Sequence, residues 1–340
     1  MKKLALSSLN DFFAAVAAAE TLYLPADNGQ GKAAYKKWTP GTEYSKALNT
    51  VRSAKDFFFP QTENLMEFRL GKQSVEVVDT RAESEDFVIF GVRACDAASF
   101  AILDRVFLSD PVDTYYKNRR AHGTVITVAC SRPAETCFCG TFGIDATDPQ
   151  GDITAWETAE GWFFRANTQK GDRLLSACKQ LLTDADEAPV EAQKAAVKDI
   201  LAKLPLSGLT AEGFGPGKTK ELFDRPEWDK LSEACLGCGT CTFVCPTCQC
   251  YDIRDFDTGA EIQRFRCWDS CMYSDFTKMS AGQPRPTQKE RFRQRFMHKL
   301  VYFPDNQEGT FGCVGCGRCL QKCPIQMNIV KVMKTLGGKN

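Results

Sequence analysis

The chain has 340 residues, 43% hydrophobic and 25% charged, with 43 basic and 43 acidic residues. Its length suggests about two domains with apolar cores, and its balanced charge argues against a whole-chain nucleic-acid or polyanion binder. The outlier is cysteine: 17 residues, an odd number that does not suit a fully paired disulfide framework, with twelve lying between Cys235 and Cys323.

Met1-Lys2-Lys3-Leu4-Ala5-Leu6 resembles the start of a secretory signal, but Asn10 and Asp11 interrupt it. An amphipathic helix over about 8–20 fits better. No apolar run reaches the ~20 residues of a membrane helix, so the expectation is a cytoplasmic protein with no transmembrane segment. A Gly/Lys-rich loop follows over 27–42. The apolar stretch Phe57-Phe58-Phe59 is closed by Pro60, and short strands are predicted near 65–70 and 74–79.

Phe87-Val88-Ile89-Phe90-Gly91-Val92 reads as a buried strand. Asp96 is placed to cap a helix whose apolar positions include Ala97, Phe100, Leu103 and Phe107. Thr124–Ala129 reads as a second strand, which predicts a parallel βαβ crossover. A hairpin is predicted around Trp156 and Trp162-Phe163-Phe164, then a helix to about 182 and an amphipathic helix over 185–204. Gly213–Gly217, interrupted by Pro216, marks the expected boundary between an N-terminal domain (1–215) and a C-terminal one (216–340).

The C-terminal part contains an internal repeat. Cys235, Cys238, Cys241, Cys245 and Pro246 share the spacing C-x2-C-x2-C-x3-C-P with Cys313, Cys316, Cys319, Cys323 and Pro324. Three thiolates on a tight loop wrap three corners of a cubane, and the fourth reaches the other cluster. The pattern therefore predicts two [4Fe–4S] clusters, one on Cys235, Cys238, Cys241 and Cys323, the other on Cys313, Cys316, Cys319 and Cys245. Paired zinc sites are the bland alternative, but zinc needs no third Cys at this interval. The long insertion between the motifs is expected to contain helices, so that the domain resembles the helical dicluster type.

Cys95 and Cys130 each follow a predicted parallel strand, and Cys137 and Cys139 lie in the next loop. Carboxyl ends of parallel strands share one edge, so a third [4Fe–4S] cluster on Cys95, Cys130, Cys137 and Cys139 is predicted; buried structural thiols are the competing reading. Cys248, Cys250, Cys267 and Cys271 could hold a fourth cluster or merely line the others. Cys178 reads as core. Arg285, Arg291, Arg293, Arg295 and Lys299 read as a solvated helix face, with partner docking or compensation of cluster charge as alternatives. His122 and His298 read as structural. No P-loop and no G-x-G-x-x-G after a strand is present, so the sequence offers no flavin or nicotinamide site.

Taken together these elements predict an α+β fold, with an N-terminal α/β domain carrying a short parallel βαβ unit and a C-terminal α-helical ferredoxin-type dicluster domain. The sequence also resembles the iron–sulfur subunit family shared by sulfhydrogenase, where it is the beta subunit, and by anaerobic sulfite reductase. The resemblance rests on Gly91–Asp96, Thr136–Cys139, Cys245–Cys248, Trp268–Cys271, Arg291–Arg295 with Tyr302–Pro304, and Phe311–Cys319. It implies a protein without substrate chemistry of its own that relays electrons from a flavin/NAD(P)H-binding reductase subunit to a terminal enzyme, or back. That enzyme would be a hydrogenase, a sulfite reductase or a heterodisulfide-reductase-like partner. A catalytic oxidoreductase subunit, with substrate at the strand-end cysteines, is the alternative; a zinc-bearing scaffold is a third.

Overall fold

The computed structural model describes residues 1–337; positions 338–340 of the expected C-terminal domain lie outside the described residues. Twelve strands form two sheets among them. The larger sheet contains β1 (Lys2–Leu4), β2 (Thr21–Asp27) and β3 (Ala33–Lys37), and the smaller begins with β4 (Thr62–Leu70) and β5 (Val75–Asp79). The larger continues through β6 (Phe87–Val92), β7 (Gly123–Val128), β8 (Ile153–Thr158), β9 (Gly161–Ala166) and β10 (Thr183–Asp184). The smaller is completed by β11 (Tyr251–Asp257) and β12 (Glu261–Trp268). Strand orders are β10-β1-β9-β8-β7-β6-β2-β3 and β11-β12-β4-β5.

The centre of the larger sheet, β2-β6-β7-β8, is parallel. Successive side chains on a strand face opposite ways, and β6 is apolar on both sides for that reason. Val88 and Phe90 enter a core with Phe12, Phe13 and Val16 of helix α1 (Leu9–Ala17). Ile89 and Val92 enter another with Phe100, Leu103 and Phe107 of α2 (Ala94–Phe107). The crossover from β6 to β7 runs through α2 and α3 (Thr114–His122). The expected βαβ unit is therefore present, with its strands in parallel register from Phe87 opposite Gly123. After the β8–β9 hairpin come α4 (Gln169–Ala177) and α5 (Ala188–Ala202). Cys178 is fully buried in the α1 core.

The C-terminal region is mostly helical: α6 (Thr219–Leu222), α7 (Glu227–Ser232), α8 (Thr240–Phe243), α9 (Gln288–Met297), α10 (Phe303–Asn306), α11 (Arg318–Lys322) and α12 (Ile329–Leu336). Its core joins Trp228 and Leu231 to Phe292, Phe296, Leu300, Val332 and Met333. The fold is thus α+β, an N-terminal α/β sheet domain with a mostly helical C-terminal region.

At three places the structure departs from or adds to the sequence reading. β3 occupies part of the stretch read as a loop over 27–42, because Ala33–Lys37 pairs with β2 as a hairpin. The insertion between the cysteine motifs contains α9 and α10, as expected, but also the β11–β12 hairpin, whose β12 pairs with β4. This sheet therefore joins segments from both sides of residue 216. Finally, Arg93 rather than Asp96 stands at the N-cap of α2, and Asp96 turns inward to an ion pair described below.

Candidate iron–sulfur centres

The two cysteine motifs adopt the same local form. Gly239 and Gly317 stand at the N-caps of α8 and α11 with φ of 70° and 75°. That left-handed conformation suits glycine and lets each loop turn sharply into a short helix. The third cysteine of each motif lies in the short helix and the fourth lies beyond it. Each helix thereby carries its last cysteine away from the first three.

Cys235, Cys238 and Cys241 line one pocket together with Cys323 from the other motif, and Leu236, Met272, Ile325 and Met327 supply apolar walls. Gln288 donates from Nε2 to the Cys235 sulfur at 3.5 Å. Cys238 is exposed, and hydrogen bonding with the Thr240 side chain and backbone holds its thiol below the ordinary value. Cys235 and Cys241 are pushed up by burial.

The reciprocal set is enclosed. Cys245 and Cys316 are each 8% exposed. Burial pushes Cys313 up to about 12 and Cys316 to about 11, and the Cys245 sulfur adds to both shifts. Cys319 is raised by burial and then by Cys316, Cys245 and Cys313. These four sulfurs therefore lie within mutual electrostatic reach. Cys245 is held low, chiefly by its hydrogen bond with Cys248.

The strand-end cysteines also meet. Cys95 opens α2 after β6, Cys130 follows β7, and Cys137 and Cys139 come from the β7–β8 connection; all four line one pocket. Burial raises Cys95, and pushes Cys130 to about 11 and Cys139 to about 12. Arg93 braces the pocket by donating to the carbonyls of Leu48, Ala129 and Ala47 at 3.1, 3.3 and 3.2 Å.

This pocket shares a wall with the second motif. Gly315 and Cys316 line it, and the Phe138 amide donates to the Gly315 carbonyl at 3.0 Å. A side chain at Gly315, whose φ is +60°, would place Cβ 2.4 Å from the Phe138 oxygen. Arg318, between Cys316 and Cys319, reaches Asp96 beside Cys95. The strand-end group thus adjoins the second motif at Cys316, and Cys241 of the first motif lies within electrostatic reach of Cys245. The Cys235 group is nearest solvent, the Cys245/Cys313 group lies in the middle, and the strand-end group lies beyond it.

Of the remaining cysteines, Cys250 hydrogen-bonds with Cys271 and lies near Cys248. Cys267 does not join them: on β12 it sits near Arg254, Asp252 and Asp269. The four are therefore not gathered as one set. Among the described residues, no three His, Cys, Asp or Glu side chains are placed to hold a single metal ion. Thiolates on one zinc all lie about 2.3 Å from it, whereas a cubane spreads four thiolates over four irons.

The basic stretch is not a uniformly solvated face. Arg295 and Lys299 are buried, and so is Lys55 from the far N-terminal segment. The Lys299 ammonium donates to Thr247 Oγ1 and the Gly312 carbonyl. Against the cost of burial, Cys245 and Cys248 hold Lys299 above its ordinary value, whereas burial pushes Lys55 down to about 8. The signal available in the sequence was the i, i+4 spacing of Arg295 and Lys299, which puts them on one helical face. His122 pairs with Asp86 at the surface, and His298 packs edge-on to Phe303.

No helix among the described residues is long and apolar enough to cross a membrane. Residues 234–327 match a family model described as a 4Fe-4S dicluster domain. The chain is 36% identical over 286 residues to sulfhydrogenase 2 subunit beta of Pyrococcus furiosus, covering 84% of this chain and 82% of that one. No solved structure matches. The chain belongs to the iron–sulfur subunit family that includes this sulfhydrogenase beta subunit, and its general role is electron transfer in an oxidoreductase complex.

Proposed function

We propose that this chain is a non-catalytic relay, carrying electrons between a flavin/NAD(P)H-binding reductase partner and a terminal redox enzyme. The terminal enzyme is a hydrogenase, a sulfite reductase or a heterodisulfide-reductase-like subunit. The observation that carries the reading is the adjacency of three sulfur groups, the strand-end pocket sharing Gly315 and Cys316 with the second motif and Cys241 lying near Cys245. Cys235, Cys238, Cys241 and Cys323 would hold one [4Fe–4S] cluster, Cys245, Cys313, Cys316 and Cys319 a second, and Cys95, Cys130, Cys137 and Cys139 a third. Such a cluster exchanges electrons at a potential set by its charge, the hydrogen bonds to sulfur and its exposure.

The protein's part is placement. Met272 and Ile325 line the first-motif pocket with apolar surface, and Leu48, Pro133 and Leu201 do so at the strand-end pocket. The glycines at 315 and 317 let the second motif lie against the Thr136–Cys139 backbone, keeping the middle and far groups adjacent. The exposed Cys238 end offers a site of exchange with a partner.

The test is to purify the full chain anaerobically with its associated subunits. Expected are flavin-containing and terminal-enzyme partners. The chain alone should be reducible by dithionite, with rhombic EPR signals, but should not turn over NAD(P)H, sulfite or hydrogen. Turnover by the chain alone would contradict the relay reading.

A further inference from the structure

We propose that Lys55, Arg295 and Lys299 form a buried cationic cradle that raises the reduction potential of the middle centre, the one assigned to Cys245, Cys313, Cys316 and Cys319. The proposal rests on the relay reading and adds to it where an electron pauses.

Lys55 and Arg295 are each 2% exposed and Lys299 is 5% exposed. Their hydrogen bonds go to neutral groups. Lys55 Nζ donates to the Cys248 carbonyl at 2.9 Å and lies 3.5 Å from the centroid of the Trp268 ring. Lys299 Nζ donates to Thr247 Oγ1 at 2.7 Å and to the Gly312 carbonyl at 2.9 Å. Arg295 donates to the Cys241 carbonyl at 2.8 Å and to the Cys248 sulfur at 3.4 Å, and its Nε has no hydrogen-bond partner.

No carboxylate among the described residues forms a salt bridge with any of the three. Asp56, beside Lys55, is engaged by Arg52 at 3.0 Å. By contrast, the nearby buried Arg318 has its own counter-ion in Asp96. Buried charge without a counter-charge is strongly unfavourable. The anionic groups left to balance three cations are the sulfurs of the middle set, Cys245 above all, once they are deprotonated as iron ligands. Those cations come from two distant parts of the chain, α9 with its following turn and the segment before β4, and converge on one point.

A cluster ligated by four thiolates is anionic and gains one more negative charge on reduction. Fixed cations within a low-dielectric surrounding favour the more negative state, so the cradle raises the potential. The Cys235 group shares Arg295, which donates to the Cys241 carbonyl, but neither lysine; Gln288 and Thr240 are the side-chain partners of its sulfurs. Of the two centres held by the paired motifs, an electron would therefore rest on the middle one rather than on the solvent-side one.

The experiment is an EPR-monitored redox titration of the anaerobic full chain and its Lys299→Met, Lys299→Arg and Lys55→Met variants, with iron and acid-labile sulfide measured on each. The middle centre is identified as the signal missing from Cys313→Ser, and the solvent-side centre as that missing from Cys235→Ser. Expected for K299M is at least about a tenfold shift of the one-electron reduction equilibrium toward the oxidised state, about 59 mV lower. K299R should stay close to the unaltered chain, and the solvent-side centre should not move. K55M should shift the same way as K299M and decides the matter if K299M does not hold iron. Full iron with an unmoved middle potential in the tested Lys→Met variant overturns the cradle. A wild-type chain lacking iron and labile sulfide would instead overturn the relay reading itself.

Discussion

Asp96 and Arg318 meet in a doubly hydrogen-bonded ion pair, at 2.5 and 2.7 Å, that ties the first turn of α2 to the second cysteine motif. Both side chains are almost fully buried, at 1% and 2% exposed. Arg318 Nε also donates to the Thr50 carbonyl at 3.2 Å. Because Asp96 adjoins Cys95 and Arg318 lies between Cys316 and Cys319, the pair fixes how the strand-end pocket sits against the middle sulfur group.

Removing one partner leaves the other charge buried and alone, which costs about 3–5 kcal/mol. Asp96→Ala or Arg318→Met should each lower anaerobic thermal stability by that order. The double variant should lose less than the sum of the two. Strictly additive losses, measured as a double-mutant cycle, would show that the pair does not act as a unit.

The crossing of ligands between the motifs gives the next expectation. Cys323 lines the pocket of Cys235, Cys238 and Cys241, so Cys323→Ser should weaken that centre while sparing the one assigned to Cys313. Cys245→Ser should do the reverse. Each loss would remove about four irons per chain and one EPR signal. If Cys323→Ser instead removed the signal assigned to Cys313, Cys316 and Cys319, the ligand sets would be wrong.

Gly315 and Gly317 close the seam between the motif and the Thr136–Cys139 loop. At Gly317, φ is +75° and a Cβ would lie 2.5 Å from the Thr136 carbonyl oxygen. Strain of about 1–3 kcal/mol from the backbone alone adds to that clash. Gly315→Ala and Gly317→Ala should therefore destabilise the chain and deplete iron at the strand-end centre. Iron and thermal stability equal to the unaltered protein would contradict the close contact.

Most of this arrangement was legible in the sequence, and its gaps have physical causes. The cysteine spacing encodes a local loop geometry, and strand ends encode an edge, so those positions carry their own information. The β11–β12 hairpin is less plainly marked: β11 is exposed along nearly all its length, so its alternation of Tyr251 and Ile253 with Asp252 and Arg254 does not signal a buried face. Asp96 has the residue type of a helix cap, but its choice of Arg318 depends on a partner 222 positions away. Arg295 and Lys299 looked like a solvated face because charge alone does not reveal where the counter-charge will be. Lys55 is invisible for the same reason, since its neighbours Cys248 and Trp268 are distant in the chain.

His298 supplies a pH dependence. Burial, then the charges of Lys299, Arg285 and Arg295, push it down to about 4, against about 6.5 in an unfolded chain. Between those values the unfolded state binds a proton that the folded state does not, so stability rises with pH. The contribution is complete above pH 6.5 and is lost progressively as pH falls toward 4, amounting to about 3 kcal/mol. His298→Asn should flatten the pH dependence of Tm over that window; an unchanged slope would assign it to other groups.

The most direct test of the account is the content of iron and acid-labile sulfide per chain in anaerobically purified protein. Three cubanes predict about twelve of each, falling to about eight when Cys95 and Cys130 are both replaced by Ser. Labile sulfide absent from the unaltered chain, or zinc in its place, would contradict the account at its foundation.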